Sequence, residues 1–378
     1  MNKTLLYIAN VRLPTDNAHG VQIIKTCEAL ADLGIQVTLI HPWRINRHKG
    51  DPFEAYRVKR NFRLITVPSL DTLMLGRIGF WFQNLTFGLT LMLYLIFRPG
   101  RAGRYDVVYS RDELPLLMVS YVARTCVWES HTGRLNGLIT RLLWRIATLV
   151  VISKGLRDFY VERGFSEGNI VVAPDAVSLE DFAHSQTKEE ARKRLGFPLG
   201  AKIALYIGKL DGWKGVETFC AASEYLPDVL CAVVGGEPEE IRALSAKYPK
   251  VRFLGWRPYT ELPHNQAAAD VLVLPNTGRD EVSAHFTSPL KLFAYMASDR
   301  PIVCSDLPSL REVLDDSSAF WFAPDDAKDC ARAITEALAN SSKAIERAAA
   351  ARTRVEKFSW NARGRMILGI FNRENTNT

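Results

Sequence analysis

The 378-residue sequence predicts an α/β protein built of two Rossmann-like domains in series. Three observations predict it. Short β-prone runs alternate with helical stretches along most of the chain, the runs are rich in Val, Ile and Leu, and a charged, glycine-broken segment interrupts the pattern near the middle. Alternating strands and helices are what parallel sheets with crossover helices require. Apolar runs without strict polar alternation mark strands covered on both faces. A chain of this length exceeds one ordinary core, so two domains are the natural division.

The first half offers β runs at 5–8, 36–41, 64–67, 106–110, 125–130, 149–152 and 170–173. The second offers 203–207, 230–234, 251–254, 271–274, 301–304 and 319–322. Helical stretches between them include 20–33, 216–225, 239–248 and 330–338. The break falls at 177–198, where a charged, helix-prone stretch ends in Gly196-Phe197-Pro198-Leu199-Gly200 before a new first strand. The expected division is an N-terminal domain at 1–180, a second at 181–358, and a closing helix with polar tail at 359–378. Two such domains leave a cleft between their strand C-termini, where open α/β sheets bind ligands.

Composition narrows the setting. Met1-Asn2-Lys3 runs directly into a strand with no small-residue cleavage site, so no secretory leader is expected. The six cysteines are scattered without CxxC spacing, which suits reduced core thiols in the cytoplasm better than disulfides or a zinc site. The net charge of +7 is uneven: residues 1–185 hold 22 Lys and Arg against 16 Asp and Glu. The excess includes Arg57, Lys59, Arg60, Arg63, Arg98, Arg101 and Arg104. It suggests an anionic surface or substrate, and no nucleic-acid motif accompanies it. Residues 73–97 are apolar, but Gln83, Asn84, Thr86, Gly88 and Thr90 break them up, which is marginal for a span of about 20 residues. Trp81 and Phe82 at one end and Arg98, Arg101 and Arg104 at the other suit a helix lying on an anionic membrane through residues 73–104. A buried helix is the competing reading.

Three loops of the second half follow strands and are expected to face the cleft. The first is Gly208-Lys209-Leu210-Asp211-Gly212-Trp213-Lys214-Gly215. Its glycines let a ligand approach the backbone, and its two lysines suit a diphosphate, although it has neither Walker A nor GxGxxG spacing. A solvated loop reads equally well. The second, Gly235-Gly236-Glu237-Pro238, pairs glycines before a helix start and is also compatible with an ordinary tight turn. The third is Ser288-Pro289-Leu290-Lys291. Ser288 is expected as N-cap and Pro289 as the first helical residue, which would point the amides of Leu290 and Lys291 at an anion. A well-capped core helix is the plainer reading.

Taken in order, Gly-Lys…Trp-Lys-Gly, Val-Val-Gly-Gly, Phe-Leu-Gly-Trp, Ser-Pro-Leu-Lys-Leu-Phe-Ala-Tyr-Met-Ala and Arg-Pro-Ile-Val-Cys-Ser-Asp-Leu-Pro-Ser resemble the retaining GT-B glycosyltransferases of family 4. Ala18-His19-Gly20-Val21-Gln22, Val151-Ile152-Ser153-Lys154-Gly155 and Phe358-Ser359-Trp360 extend the resemblance over nearly the whole chain, most strongly at 202–340. The resemblance implies a GT-B fold, two Rossmann-like domains facing each other across a cleft, with a C-terminal helix crossing back to the first. It implies a UDP- or GDP-sugar donor, with Lys209 and Lys214 neutralising the leaving diphosphate. Gly208, Ser288, Pro289, Leu290 and Lys291 would cup the phosphates or sugar, and Gly235, Gly236 and Trp256 would lie near base and ribose. No metal or other cofactor is expected, since lysines and helix amides take the cation's place. The sequence offers only Asp325-Asp326 as a DxD-like candidate. The chain departs from the family at two glutamate positions, which hold Phe286 and Ala294. The second grips the ribose in the family, and its loss would weaken donor binding by about 1–3 kcal/mol.

In the first domain, the resemblance places Gly20 against the donor phosphates and the acceptor, with His19 beside it. Trp128-Glu129-Ser130-His131 matches the family's Glu-x-His, which makes His131 a donor to the sugar or its phosphate. A satisfied structural histidine is the alternative. Arg111 follows a strand and suits an acidic acceptor, or an ion pair with Asp112 or Glu113. The expected chemistry is retaining transfer to a glycan or lipid-linked acceptor in cell-surface polysaccharide or glycolipid assembly. A catalytically degenerate nucleotide- or glycan-binding partner subunit is the alternative, and a sugar-nucleotide epimerase lacks the carboxylates it needs.

Overall fold

The computed structural model describes residues 3–46, 48–97 and 105–373. The chain divides into two compact units, Met1–Pro174 with Trp360–Thr378, and Asp175–Ser359.

The first unit is a parallel sheet of seven strands: β1 (Thr4–Ile8), β2 (Gln36–Pro42), β3 (Arg63–Val67), β4 (Val107–Ser110), β5 (Cys126–Ser130), β6 (Thr148–Val151) and β7 (Ile170–Val172). They run in the order β3-β2-β1-β4-β5-β6-β7. The order reverses between β1 and β4, so the loops leaving these two strands flank the position where open sheets bind ligands. Leu5, Leu6, Tyr7 and Ile8 are all buried, as a strand covered on both faces demands. The helix Trp360–Leu368 packs on the helix Ala18–Asp32, where a Cβ on Gly364 would lie 3.0 Å from Leu33 Cδ1 and 3.4 Å from Ala29 Cβ. The C-terminal helix is therefore part of the first unit.

The helix Gly76–Phe97 reverses the usual arrangement of polar and apolar faces. Its buried stripe is Gly79, Gln83, Asn84, Phe87, Gly88, Leu91 and Leu95. Gln83 and Asn84 accept from Asn10 Nδ2 at 2.9 and 2.7 Å, and Gln83 Nε2 donates back to Asn10 Oδ1 at 2.9 Å. The residues that interrupt the apolar run thus dock the helix, while Ile78, Phe80, Trp81, Phe82, Leu89, Leu93, Ile96 and Phe97 are exposed. Its length and composition are enough to cross a membrane. Arg98, Arg101 and Arg104 lie outside the described residues.

The second unit is a parallel sheet of six strands: β8 (Lys202–Ile207), β9 (Val229–Val234), β10 (Arg252–Phe253), β11 (Val271–Leu274), β12 (Ile302–Ser305) and β13 (Phe320–Phe322). The order is β10-β9-β8-β11-β12-β13, with its reversal between β8 and β11. The charged, helix-prone stretch forms the helix Lys188–Leu195, with a Thr187/Glu190 capping box and Gly196 closing it in the left-handed region. Its Arg192, only 4% exposed, donates to Ala268 O and to Asp270 Oδ2, 2.7 Å away. This binds the helix to the second unit. The boundary falls at Pro174/Asp175, not at 180/181, because Val177 pairs with Ser359 and its N–H donates to Phe358 O at 3.0 Å. All six cysteines are buried thiols.

Candidate functional site

Each unit carries a cluster of polar groups at its switch point. In the second unit, β8 ends at Ile207 and the chain turns through Gly208. The Tyr206 hydroxyl donates to Lys209 O at 2.6 Å, which fixes the start of the loop. Lys209 is exposed, whereas the Lys214 side chain is 18% exposed and lies 3.4 Å from Asp211 Oδ2. Gly215 closes the loop at φ 65°, and a Cβ there would lie 1.7 Å from Pro275 O, the residue leaving β11. Only glycine permits that contact between the two loops that flank the sheet's reversal.

The helix Leu290–Ala297 is tied to the same loop. The Tyr295 hydroxyl accepts from Ile207 N at 2.8 Å. Lys291 Nζ lies 4.5 Å from the centroid of the Tyr206 ring and 3.4 Å from its hydroxyl. Burial, and then the nearby charge of Lys214, push the Lys291 ammonium well below the ordinary lysine range. Lys214 is also lowered, by burial and in part by Lys209. Two buried lysines, Lys214 and Lys291, thus lie close enough for the charge of one to disfavour that of the other, an arrangement that an anion would relieve.

Ser288 differs from expectation. Its hydroxyl accepts from Asp175 N at 3.0 Å, and no side chain caps the helix. Pro289, in extended conformation, occupies the cap position and Leu290 begins the helix. The helix start thus has no side-chain cap, and its dipole favours an anion beside Lys291. The paired glycines also have a local reason. A Cβ on Gly235 would sit 2.0 Å from Gly208 O, so the glycine admits the neighbouring loop. Gly236 likewise leaves room for Leu210. Gly235 N donates to Gly255 O at 2.8 Å, which brings the exposed Trp256 next to this turn.

Phe286 and Ala294 are both buried, and Ala294 lies in the core cluster with Ala284 and Phe293. Apolar packing has taken the place of the two glutamates. Asp325 accepts from Thr277 Oγ1 at 2.6 Å and from Gly278 N at 3.0 Å, and Asp326 caps the helix Ala327–Ala339. Both therefore have structural partners. Among the described residues, no three His, Cys, Asp or Glu side chains are grouped to hold a metal ion. Asn276, at the exit of β11, was not anticipated: its side chain is fully buried and neither amide atom has a hydrogen-bond partner.

In the first unit, Glu129 on β5 is the hub. Its carboxylate accepts from Gln22 Nε2 at 2.5 Å and from the Tyr109 hydroxyl, and Arg363 Nη2 lies 2.8 Å away. His131 Nε2 is 2.5 Å from the same carboxylate. Arg363, with His131 and Arg111, holds Glu129 well below the usual carboxylate range against the opposing effect of its burial. An ionised carboxylate only accepts, so Nε2 of His131 carries the proton. Burial and Arg111 lower the His131 pKa to about 4, so the ring is neutral near pH 7 and its Nδ1 is an acceptor.

Arg111 pairs with neither Asp112 nor Glu113; its Nη1 donates to Gln22 Oε1 at 2.8 Å. Asp112 accepts instead from Asn10 N at 2.6 Å. Gly20 has a packing reason: a Cβ there would lie 2.5 Å from both Thr15 Cγ2 and the Tyr56 hydroxyl. His19 is half-buried one residue earlier in the same helix. Sequence reasoning missed Gln22, Tyr109, Tyr206 and Arg363. Only Gln22 had a signal, because it falls on the buried face of a helix where a polar residue needs partners.

Residues 201–340 match the family Glycosyl transferases group 1. The chain is 27% identical to a D-inositol 3-phosphate glycosyltransferase of Corynebacterium aurimucosum, over 93% of this chain and 90% of that one. It is 24% identical to a glycosyltransferase assigned to teichuronic acid biosynthesis in Bacillus subtilis, over 65% of this chain and 60% of that protein's length. Among solved structures, HepE of Anabaena in complex with UDP and glucose is similar, with a TM-score of 0.73 at 15% identity over 97% of this chain and 99% of that one.

Proposed function

We propose that this chain, a GT-B protein whose residues 201–340 are a glycosyl transferases group 1 domain, is a retaining glycosyltransferase using a UDP- or GDP-sugar. The acceptor in this reading is a glycan or lipid-linked glycan of cell-surface polysaccharide or glycolipid assembly. The observation that carries the reading is the cluster of Lys209, Lys214 and Lys291 at the exit of β8 and an uncapped helix start, which suits a diphosphate. The solved relative of similar fold holds UDP and glucose, and the relatives of known name are glycosyltransferases.

The chemistry follows from those groups. The lysines stabilise charge as the bond from the anomeric carbon to the diphosphate oxygen breaks. The departing phosphate oxygen takes the proton of the acceptor hydroxyl, whose oxygen bonds to the anomeric carbon on the same face. Retention then needs no protein nucleophile, only positioning. His131 Nδ1 serves as an acceptor for a sugar hydroxyl, held by Glu129. In this reading Arg111, His19 and Gly20 serve the acceptor, and no cofactor is required.

The exposed apolar face of Gly76–Phe97 supports attachment to the inner surface of a membrane, where a lipid-linked acceptor resides. The placement at Phe286 and Ala294 favours weak ribose contacts and keeps a second reading in view, a nucleotide-binding partner subunit without turnover. Calorimetric titration with UDP and GDP, followed by hydrolysis assays over a panel of donor sugars, separates the two. Micromolar binding with slow donor hydrolysis is expected. Tight binding without turnover of any donor overturns the enzyme reading.

A further inference from the structure

We infer that Arg363 is a positioning residue for His131, acting through the Glu129 carboxylate. The inference rests on the reading that His131 serves the reaction. Arg363 stands on the C-terminal helix Trp360–Leu368, far from the other members of the cluster in sequence, and is only 2% exposed. One nitrogen, Nη1, donates to the carbonyls of Ala173 and Pro174, the latter at 2.8 Å. The other, Nη2, lies 2.8 Å from Glu129 Oε2. Glu129 is itself 1% exposed, and its second oxygen accepts a hydrogen bond from His131 Nε2.

A carboxylate sealed this deeply stays ionised only beside a cation, since burial alone favours the neutral acid. The guanidinium in direct contact supplies that charge. An ionised Glu129 admits one histidine tautomer, proton on Nε2 and lone pair on Nδ1. A protonated Glu129 would instead donate to Nε2 and turn the ring to the opposite tautomer, with a donor at Nδ1. The groups surrounding this pair come from every packed element: Tyr7 on β1, Tyr109 on β4, Arg111 after β4, Gln22 and Cys27 on Ala18–Asp32, and Arg363. Of the two arginines, Arg111 hydrogen-bonds Gln22, and Arg363 faces the carboxylate directly.

The test uses the full chain labelled with 15N-histidine, with His131→Asn to assign the resonance. Arg363→Gln keeps a donor for the Ala173 and Pro174 carbonyls and removes the charge, whereas Arg363→Lys keeps the charge. In the unaltered protein His131 is expected wholly as the Nε2–H tautomer from pH 8 down to 5. R363Q is expected to populate Nδ1–H, and R363K to restore Nε2–H. With UDP-glucose as probe, kcat of R363Q should fall about 10- to 100-fold with KM within about 3-fold, as for loss of an outer partner that orients a functional histidine. An R363Q protein with the unaltered tautomer overturns the inference. So does an Nδ1–H tautomer in the unaltered protein, a measurement that stands even where R363Q does not fold. If His131→Ala leaves UDP-glucose turnover intact while the tautomer responds as expected, the catalytic reading of His131 fails and the positioning by Arg363 stands.

Discussion

The ammonium of Lys291 sits 4.5 Å from the centre of the Tyr206 ring and 3.4 Å from its hydroxyl, at the first turn of an uncapped helix. The tyrosine holds the cation without neutralising it. Lys291→Met should therefore weaken UDP binding about 10- to 100-fold, the scale of the roughly 1.5–3 kcal/mol lost with a charge-assisted contact. Calorimetry with UDP reads the loss directly, and unchanged affinity would place the diphosphate elsewhere.

The same lysine makes binding depend on pH. Burial and Lys214 depress its pKa in the unliganded protein, and a diphosphate restores it. Binding must then take up a proton wherever the unliganded Lys291 is neutral, and affinity must fall as pH rises through that range. Titrations in buffers of differing ionisation enthalpy should show proton uptake on UDP binding in alkaline solution, and K291M should abolish it.

Acid should destabilise the first unit in a defined window. His41 and His131 are both lowered from 6.5 to about 4, each chiefly by burial. The unfolded chain binds these protons near pH 6.5 and the folded one only near 4. Their contribution to stability is complete above 6.5 and is lost as pH falls toward 4. Denaturant midpoints measured across that window should decline, and His41→Asn should flatten part of the slope.

Gly215→Ala should damage the lysine loop more than its size suggests. Its φ of 65° is strained for alanine, and the new Cβ would meet Pro275 O at 1.7 Å. The backbone conformation alone costs on the order of 1–3 kcal/mol. Urea unfolding should register that loss, and UDP binding should weaken with it, because the preceding Lys214 shifts with the backbone.

Replacing Trp81 and Phe82 with Ser tests the exposed face of Gly76–Phe97. Both side chains are 54% exposed, so thermal stability should hardly change. Transfer of each ring to lipid is worth about 1.5–3 kcal/mol at full burial. Co-sedimentation with phosphatidylglycerol vesicles should therefore drop by about 10-fold or more. Equal sedimentation of both proteins would assign that face to another partner.

Much of this was legible in the residues themselves. The thirteen strands among the described residues and the glycine-bounded loop from Gly208 to Gly215 follow from apolar runs and glycine punctuation, which are local properties, whereas the junction between the units falls earlier than the charged stretch suggested. The return of the C-terminal helix and the lysine at 291 followed from the resemblance. Ser288 was misread because a serine before proline suits a cap, and nothing local announces that Asp175 N will compete for its hydroxyl.

The sequence by itself determined the periodicities, the turns and the residue types available for holding an anion. Tertiary structure decided which of them meet. Arg363 reaches Glu129 across more than two hundred residues, Pro275 abuts Gly215, and the polar stripe of Gly76–Phe97 turns inward to Asn10. The physical reason is that burial and charge pairing are properties of the assembled core. The tautomer of His131 and the state of Lys291 are set by neighbours that only folding brings within a few ångströms.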